Sequence, residues 1–240
     1  DEMMNIKRMI LMAMVLLSTV SYAQNEDRRV SIEPYAGLTI SKMDGNAIKE
    51  NKSWKTGWTA GAEVEIPLSN YYSITTGADY SLIGTNIKMY EDKYMKTKVK
   101  LNDSYINIPV QLKMYFRSIP DLAFHMGADV GFLVSAKAHG KGTSIKTMDI
   151  GNGQSSLFLW EQYTVRDDED VSSKFRNIIF SIPVGLSYEW KNVELNATYR
   201  FEVRKAISYY EYPSSMMAYQ DAITARNHAI HITLGYKFKL

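Results

Sequence analysis

Apolar and polar residues alternate one by one over most of the chain. In residues 105–116 the even-numbered positions are all apolar and the odd-numbered ones are mostly polar. An amphipathic helix would repeat about every 3.6 residues, so a period of two indicates strands with one apolar and one polar face. Eight segments share the pattern over ten or more residues: 30–42, 54–68, 71–82, 105–116, 122–135, 178–190, 193–204 and 227–240.

The lengths of these segments and of their connections predict a membrane barrel. A strand that crosses a bilayer obliquely needs about 9–11 residues, whereas strands of globular proteins average about 5–6. Short connections at 69–70, 117–120 and 191 alternate with long ones at 43–53, 83–104, 137–176 and 205–226. This alternation is typical of outer-membrane proteins. We therefore predict an all-β fold, an eight-stranded antiparallel up-and-down transmembrane β-barrel with long outer loops and short periplasmic turns.

Charged residues are almost confined to one face of the predicted strands, which decides the face that points inward. A lysine or arginine on the lipid side costs about 2–4 kcal/mol at the bilayer midplane. The interior of an eight-stranded barrel is only wide enough to be filled by side chains. We therefore predict a polar network in the lumen, formed by Glu33, Glu63, Asp79, Lys113, Asp129, Arg200, Glu202, Arg204 and Lys237.

Aromatic residues on the apolar face cluster near strand ends. Amphipathic rings favour the headgroup level of a bilayer, so these residues are predicted to form aromatic girdles. The alternative is core packing in a soluble β-sandwich. The residues concerned are Trp54, Trp58, Tyr72, Tyr80, Tyr188, Trp190, Tyr199 and Tyr236.

Residues 1–23 have the pattern of a secretory signal peptide. Two basic residues precede an apolar run over 9–17, and the small residues Ser21 and Ala23 fit a cleavage site. The run is shorter than the roughly 20 apolar residues that a membrane-spanning helix needs. We expect export through a cleaved signal peptide to a bacterial outer membrane, with the barrel domain in residues 24–240.

Composition excludes several functional classes. The formal net charge of +2 is too small for the electrostatic footprint of a nucleic-acid-binding protein, so no nucleic-acid partner is predicted. Cysteine is absent, which excludes disulfides, thiolate metal sites and cysteine nucleophiles. Stability must therefore come from strand pairing and side-chain packing.

Four motifs on the predicted strands carry a family resemblance. Residues 104–113 combine a tyrosine, an isoleucine-proline pair and a leucine-lysine pair; glycine-bearing strands lie at 127–131 and 183–186, and a Leu-Gly-Tyr-Lys-Phe strand closes the chain at 234–238. In these motifs the chain resembles the small outer-membrane β-barrel proteins of Bacteroidetes-type bacteria, the porin family or PorT-like barrels. The resemblance covers essentially all of residues 24–240. It implies the barrel fold and an outer-membrane location, and no particular activity.

The sequence offers no catalytic constellation. His125 and His231 lie on the inward face, but the predicted topology separates them along the barrel, and neither has a nucleophile visibly beside it. We expect the protein not to be an enzyme and to use no cofactor, and no residue is assigned as a metal ligand.

The predicted outer loops contain two kinds of candidate binding residue. The acidic run at 166–170 could hold calcium or the cations that bridge lipopolysaccharide, since oxygen ligands suit a hard cation. Its spacing lacks an EF-hand pattern, and a solvated loop is the alternative. Loop aromatics could capture a ligand or fold back on the barrel rim. They are Phe158, Trp160, Tyr163, Tyr209, Tyr210 and Tyr212.

These observations favour a structural or surface-interaction protein. Its expected partners are outer-membrane lipid and a surface ligand or protein partner bound through the outer loops. The alternatives are a narrow porin-like channel for small solutes or ions, an accessory barrel of a secretion apparatus, and a soluble ligand-binding barrel.

Overall fold

The computed structural model describes residues 28–45, 52–91, 95–149, 156–203 and 225–240. Its strands are β1 (Ser31–Gly45), β2 (Lys52–Ser53), β3 (Lys55–Pro67), β4 (Tyr72–Glu91), β5 (Met95–Tyr115), β6 (Leu122–Asp149), β7 (Ser156–Asp170), β8 (Ile178–Trp190), β9 (Val193–Glu202), β10 (Ala225–Tyr236) and β11 (Phe238–Lys239). One 3₁₀ turn lies at Ser172–Lys174. The predicted signal peptide and the aromatic residues Tyr209, Tyr210 and Tyr212 lie outside the described residues.

Eight of these strands close into an antiparallel barrel. They pair in the order β1, β3, β4, β5, β6, β8, β9 and β10, and β10 pairs back with β1. The predicted eight-stranded up-and-down barrel is therefore confirmed. Within the described ranges, no helix is both long and apolar enough to span a membrane.

The two faces of the strands separate a filled lumen from an apolar outer surface. Leu38 and Val110 on the outer surface are 63% and 53% exposed, whereas Glu33 and Lys113 in the lumen are 4% and 2% exposed. Exposed large apolar residues occur on all eight barrel strands, and buried charged residues lie between them along the chain. The polar face points inward, as predicted.

Aromatic side chains mark both ends of the outer surface. Tyr72, Tyr188 and Trp190 are exposed near the short turns, and Trp58 is exposed at the opposite end, with its ring 5.2 Å from that of Tyr80. All the predicted girdle residues except Tyr80 are at least 41% exposed, and Tyr80 is partly covered. The placement is that expected of rings at the two headgroup levels.

Two of the connections predicted as long loops are β-hairpins. β4 and β5 remain paired out to Glu91 and Lys96, and β6 turns back into β7 with pairing from Lys137 and Asp170 to Asp149 and Ser156. Strands of 20, 21 and 28 residues in β4, β5 and β6 are much longer than a bilayer requires. The hairpins therefore extend beyond the barrel on the side opposite the short turns.

A β-bulge reverses the inward parity of β6. Ser104 pairs with Ser135 and Tyr105 pairs with Leu133, so Val134 is an extra residue in the ladder. Before the bulge the odd-numbered residues of β6 point inward; after it, even-numbered residues such as Ala136 are buried. The bulge thereby directs small apolar side chains into the long-hairpin end of the lumen.

The turn between β8 and β9 contains a strained residue. Trp190 pairs with Val193, so the loop consists of Lys191 and Asn192, and Lys191 has a φ of 60°. A non-glycine residue in this region costs about 1–2 kcal/mol, and glycine adopts it freely.

We expect Lys191→Gly to stabilise the barrel by about 0.5–1 kcal/mol, since it relieves the strain but adds some freedom to the unfolded chain. Asn192→Gly is the matched control and should give no gain, because the described backbone shows no positive φ there. Urea unfolding followed by tryptophan fluorescence measures both. A loss of stability in Lys191→Gly would show that the backbone at Lys191 is not strained.

Candidate functional site: the filled lumen

The middle of the lumen is crossed by an arginine bridge. Arg200 donates hydrogen bonds from Nη1 and Nη2 to the two carboxylate oxygens of Asp79, at 3.1 and 2.5 Å, and its Nε lies 3.5 Å from Asp129 Oδ2. β4 and β9 are four strands apart in a ring of eight, so this bidentate pair joins opposite walls. We call Arg200, Asp79 and Asp129 the arginine layer.

Neutral side chains complete the hydrogen bonding of Asp79. Asn107 Nδ2 donates to Asp79 Oδ1 at 2.7 Å, Ser81 Oγ donates to the same oxygen at 2.5 Å, and Tyr35 donates to Oδ2 at 3.3 Å. Ser181 donates to Asp129 at 3.4 Å. The arginine layer and the neutral side chains bound to it come from six strands, and together they fix the middle of the barrel.

Towards the short turns, two lysines hold a group of glutamates. Lys113 Nζ lies 2.6 Å from Glu194 and 3.3 Å from Glu65. Lys237 Nζ lies 2.7 Å from Glu65, 2.5 Å from Glu194 and 3.2 Å from Glu189. Tyr115 also donates a hydrogen bond to Glu65. We call these residues the lysine layer: Glu65, Lys113, Tyr115, Glu189, Glu194 and Lys237.

Towards the long hairpins, apolar side chains enter the lumen among buried polar ones such as Asp103, Thr85 and Asn227. Eleven buried residues pack together there: Met43, Ile83, Val99, Tyr105, Ala136, Ala138, Val171, Phe175, Ile179, Ala225 and Ala229. We call them the apolar plug. The space between the plug and the arginine layer amounts to about 20 Å³, enough for about one water molecule.

The segment that follows β7 folds into this end of the barrel. Val171 N donates to Ala136 O at 2.9 Å, and Ala136 N donates to Ser172 Oγ at 2.8 Å. Phe175 is buried in the plug. These hydrogen bonds therefore connect the segment, and with it the apolar plug, to β6.

A vestibule of about 490 Å³ opens at the short-turn end. The Arg28 guanidinium lies 3.3 Å from the centroid of the Tyr115 ring and donates hydrogen bonds to Asn70 O and Pro120 O. Arg28 thus ties the start of the described chain to two short turns. Glu65 and Lys237 line the inner wall of the vestibule, so it ends at the lysine layer.

A family model described as the outer membrane protein beta-barrel domain matches residues 22–208. The match covers more than half of the chain and includes most of the barrel strands. The chain belongs to this outer-membrane β-barrel family. Membership places the barrel in a bacterial outer membrane, with short turns on the periplasmic side and long hairpins outside.

Several solved structures of outer-membrane proteins are similar to this chain. The chain is similar to Ail, the attachment invasion locus protein of Yersinia pestis (12% identity, 88% of this chain and 100% of that one, TM-score 0.38). It is also similar to Neisserial surface protein A (15%, 87% and 97%, 0.37) and to OprG from Pseudomonas aeruginosa (10%, 88% and 97%, 0.36). Comparison with curated proteins gives no match. Similarity at these levels concerns the fold alone.

The lipid-facing surface of the barrel can be tested at one residue. Val110 lies in the lipid-crossing part of β5 and is 53% exposed, so we expect Val110→Lys to destabilise the barrel by about 2–4 kcal/mol. Leu68→Lys, in the periplasmic turn after β3, is the control and should cost about 0–1 kcal/mol. Urea unfolding in phospholipid vesicles measures both. Equal losses would contradict a lipid-facing Val110.

Outside the membrane, the β6–β7 hairpin ends in exposed acidic residues. Ser172 N donates to Asp170 Oδ1 at 2.8 Å, and hydrogen bonds from Ser172 hold the pKa of this carboxyl below its usual value. Asp170 lies at the end of β7 rather than in an irregular loop. The structure describes the strand backbone at Phe158, Trp160 and Tyr163 without their side chains, so their predicted role stays a prediction.

The structure brings most of the predicted lumen residues together, in several layers rather than in one network. Asp79, Asp129 and Arg200 form the arginine layer, and Lys113 and Lys237 belong to the lysine layer. Glu202 lies nearer the outside and accepts hydrogen bonds from Asn227 N and Nδ2, both at 2.8 Å. Glu33 and Glu63 lie opposite each other on β1 and β3, next to the lysine layer. Arg204 lies outside the described residues.

Sequence reasoning placed several partners of these residues on the inward face but predicted none of their individual contacts. Glu65, Glu189 and Glu194 bind the lysines, and Tyr115 donates to Glu65. All four lie on the inward face, so the alternation of residues placed them correctly. Their position along the barrel axis depends on the strand register, which the alternation does not predict.

The two inward histidines lie on strands that are not neighbours, β6 and β10. His125 Nδ1 lies 2.5 Å from Gln111 Oε1, and its ring occupies the space that a side chain at Gly185 would need. His231 is buried on β10 opposite Thr39 and Thr198. Their positions supply packing and hydrogen bonding in the lumen wall.

Proposed function

We propose that the protein is a closed outer-membrane barrel that presents a rigid β-sheet platform outside the cell for binding a surface ligand or a protein partner. The observation that carries the proposal is the combination of a lumen filled at three levels with strands that continue beyond the barrel. A solute would have to cross ion pairs in two layers and an apolar plug. The platform, by contrast, extends outside the cell, where a ligand or a partner can reach it.

The platform consists of the outer parts of β4, β5, β6 and β7. β5 pairs with β6 out to Met95 and Ser144, and β6 pairs with β7 out to Asp149 and Ser156. Among the described strands, β7 pairs with β6 alone. A strand with one unpaired edge can add a strand from a partner through backbone hydrogen bonds. This edge supports a protein or peptide partner.

Shortening the platform tests this function. Lys141 and Thr164 face each other across the hairpin, so replacing residues 142–163 by Asn-Gly closes the ladder with a two-residue turn. Cells that display either chain are passed over a panel of immobilised glycans and extracellular proteins. On some members of the panel, cells with the full chain should be retained several-fold better than cells with the shortened chain. Equal surface amounts and an unchanged heat-modifiable gel band are the controls.

The same preparation tests the channel alternative. We expect planar bilayers that contain the purified full chain to show no unitary conductance steps. Regular steps would favour a narrow channel, and equal retention of full and shortened chains would overturn the platform. An accessory role in secretion would instead appear as loss of an exported protein from a strain lacking this barrel.

We also propose that the chain is a Bacteroidetes-type small barrel, exported through a signal peptide that is cleaved after Ala23, and that it has no catalytic role. The motif at 104–113 supports the family subtype, and the basic, apolar and small-residue pattern of 1–23 supports export. Protein recovered from the outer membrane of a Gram-negative host should begin at Gln24. Recovery in the soluble periplasmic fraction would contradict this localisation.

A further inference from the structure

Three glutamates converge in the lumen at the lysine layer, and one of them, Glu194, is also bound by Lys113 and Lys237. Glu33, Glu63 and Glu194 each place a carboxylate oxygen within 4.8 Å of the other two. We propose that this carboxylate triad binds one hard divalent cation of the calcium class, reached from the periplasmic vestibule. The proposal rests on the backbone placement of the three residues, on an unpartnered carboxylate oxygen and on the local excess of negative charge.

The strands bring the triad together through a glycine gap. Glu33 on β1 lies directly opposite Glu63 on β3, and Glu194 on β9 lies directly opposite Gly235 on β10. The Glu33 carboxylate occupies the space above Gly235, where its Oε1 takes the position that a Cβ would need. The missing side chain therefore lets Glu33 reach across β10 towards Glu194.

The Glu33 carboxylate has a buried acceptor without a hydrogen-bond partner. Glu33 is 4% exposed, and its Oε2 has no hydrogen-bond partner among the described residues. Glu63 is also buried and forms no ion pair with a described residue. Like charges directly opposite each other in a sheet are destabilising, and a buried acceptor without a partner is costly. A cation between the two carboxylates removes both penalties.

The charged groups around the triad include more carboxylates than ammonium groups. Five buried glutamates lie at this level, namely Glu33, Glu63, Glu65, Glu189 and Glu194. The ammonium groups that reach them among the described residues are those of Lys113, Lys237 and Lys239. Counted over these ion pairs alone, without the arginines of the vestibule, five carboxylates against three ammonium groups leave two negative charges, which one divalent cation neutralises.

The ligand set also selects the type of cation. All three ligands are carboxylate oxygens, which hard cations prefer. Oxygens on opposite sides of Ca²⁺ are about 4.6–5.2 Å apart, because each Ca–O distance is about 2.3–2.6 Å. Separations of up to 4.8 Å therefore suit calcium, with water or Glu63 and Glu33 in bidentate mode completing its coordination.

The vestibule provides an entry path. Ser31 and Glu65 line it, and they are the next inward residues below Glu33 and Glu63 on β1 and β3. A cation from the periplasm has to pass the lysine layer and a vestibule that Arg28, Arg29 and Lys239 also line. Above the triad, the arginine layer blocks passage to the outside.

Calcium titration of the full chain tests the site. The folded barrel in detergent, stripped with EDTA, is titrated with Ca²⁺ by calorimetry, and Mn²⁺ electron paramagnetic resonance serves as a second probe. We expect one Ca²⁺ per chain, and at least tenfold weaker binding in Glu33→Gln and in Glu63→Gln. Glu202→Gln is the matched control, a buried lumen glutamate bound to Asn227, and should leave binding unchanged.

The heat-modifiable gel band shows which variants are folded. If Glu33→Gln does not fold, Glu63→Gln and Gly235→Ala carry the test, the latter because its methyl group displaces the Glu33 carboxylate while all the charges remain. No uptake of Ca²⁺ or Mn²⁺ by the folded wild type, as expected if the glutamates share protons instead, overturns the proposal. Uptake that is unchanged in the triad variants overturns it as well, since the cation would then bind elsewhere.

Discussion

Arg200→Met is expected to destabilise the barrel by about 3–5 kcal/mol, because it leaves two buried aspartates without their counter-charge. Asp79 and Asp129 are 2% and 1% exposed, and Arg200 is the cation that contacts both of them. The hydrogen bonds to Asp79 from Asn107, Ser81 and Tyr35 remain in the variant, but they do not neutralise a charge in a site of low dielectric constant. Urea unfolding in phospholipid vesicles measures the loss.

Two further variants separate charge from geometry in the arginine layer. Arg200→Lys keeps the charge and loses the bidentate contact, so its loss should be clearly smaller than that of Arg200→Met. Adding Asp79→Asn to Arg200→Met removes one of the two unpaired charges and should recover part of the stability. A loss below about 1 kcal/mol in Arg200→Met alone would show that the aspartates are neutral or solvated in the folded barrel.

The barrel strands were predictable because the bilayer imposes a simple rule on them. Lipid on one side and a polar lumen on the other force strict alternation, as in Ile106, Asn107 and Ile108. The outer parts of β4 to β7 lie beyond this constraint. Residues 141–149 there mix polar and apolar side chains without a clear period, whereas residues 95–102 still alternate and place Val99 in the apolar plug. The strands pair there because they continue the hydrogen-bonded ladders that begin in the barrel.

The sequence predicts which side chains point into the lumen, but it does not predict which of them contact one another. Arg200 and Asp79 are 121 residues apart in the chain, and their pairing depends on the register of every strand between them. An error of two residues in one register keeps both side chains inward and still separates them. The apolar plug was missed for a related reason, since the extra residue Val134 shifts the inward parity of β6.

The carboxylate triad could not be predicted from composition or spacing. Glu33 and Glu63 are charged inward residues like many others in the chain, and Glu194 approaches them because Gly235 lies between. A glycine within a strand often marks such a close approach, but several inward glycines occur in this barrel. The relevant signal is the pairing of Gly235 with Glu194, which requires the register.

Lys237→Met is expected to cost about 3–5 kcal/mol, because Lys237 is the cation shared by the largest number of carboxylates in the lysine layer. Its Nζ lies within 3.2 Å of Glu65, Glu189 and Glu194, and the residue is 2% exposed. Lys113 contacts two of the three and cannot replace it at Glu189. Unfolding is measured in EDTA, so that a bound divalent cation does not compensate for the lost charge.

Lys239→Met is the matched control, with the same chemical change two residues along the chain. The Lys239 side chain is 47% exposed and contacts Glu189 at 2.8 Å at the edge of the vestibule. An ion pair so open to solvent contributes about 0–1 kcal/mol, so Lys239→Met should unfold close to the wild type. Similar losses in the two variants would mean that water reaches the lysine layer freely. Burial of Lys237 would then not be the source of its effect, and the lumen would be open to the periplasm beyond the vestibule.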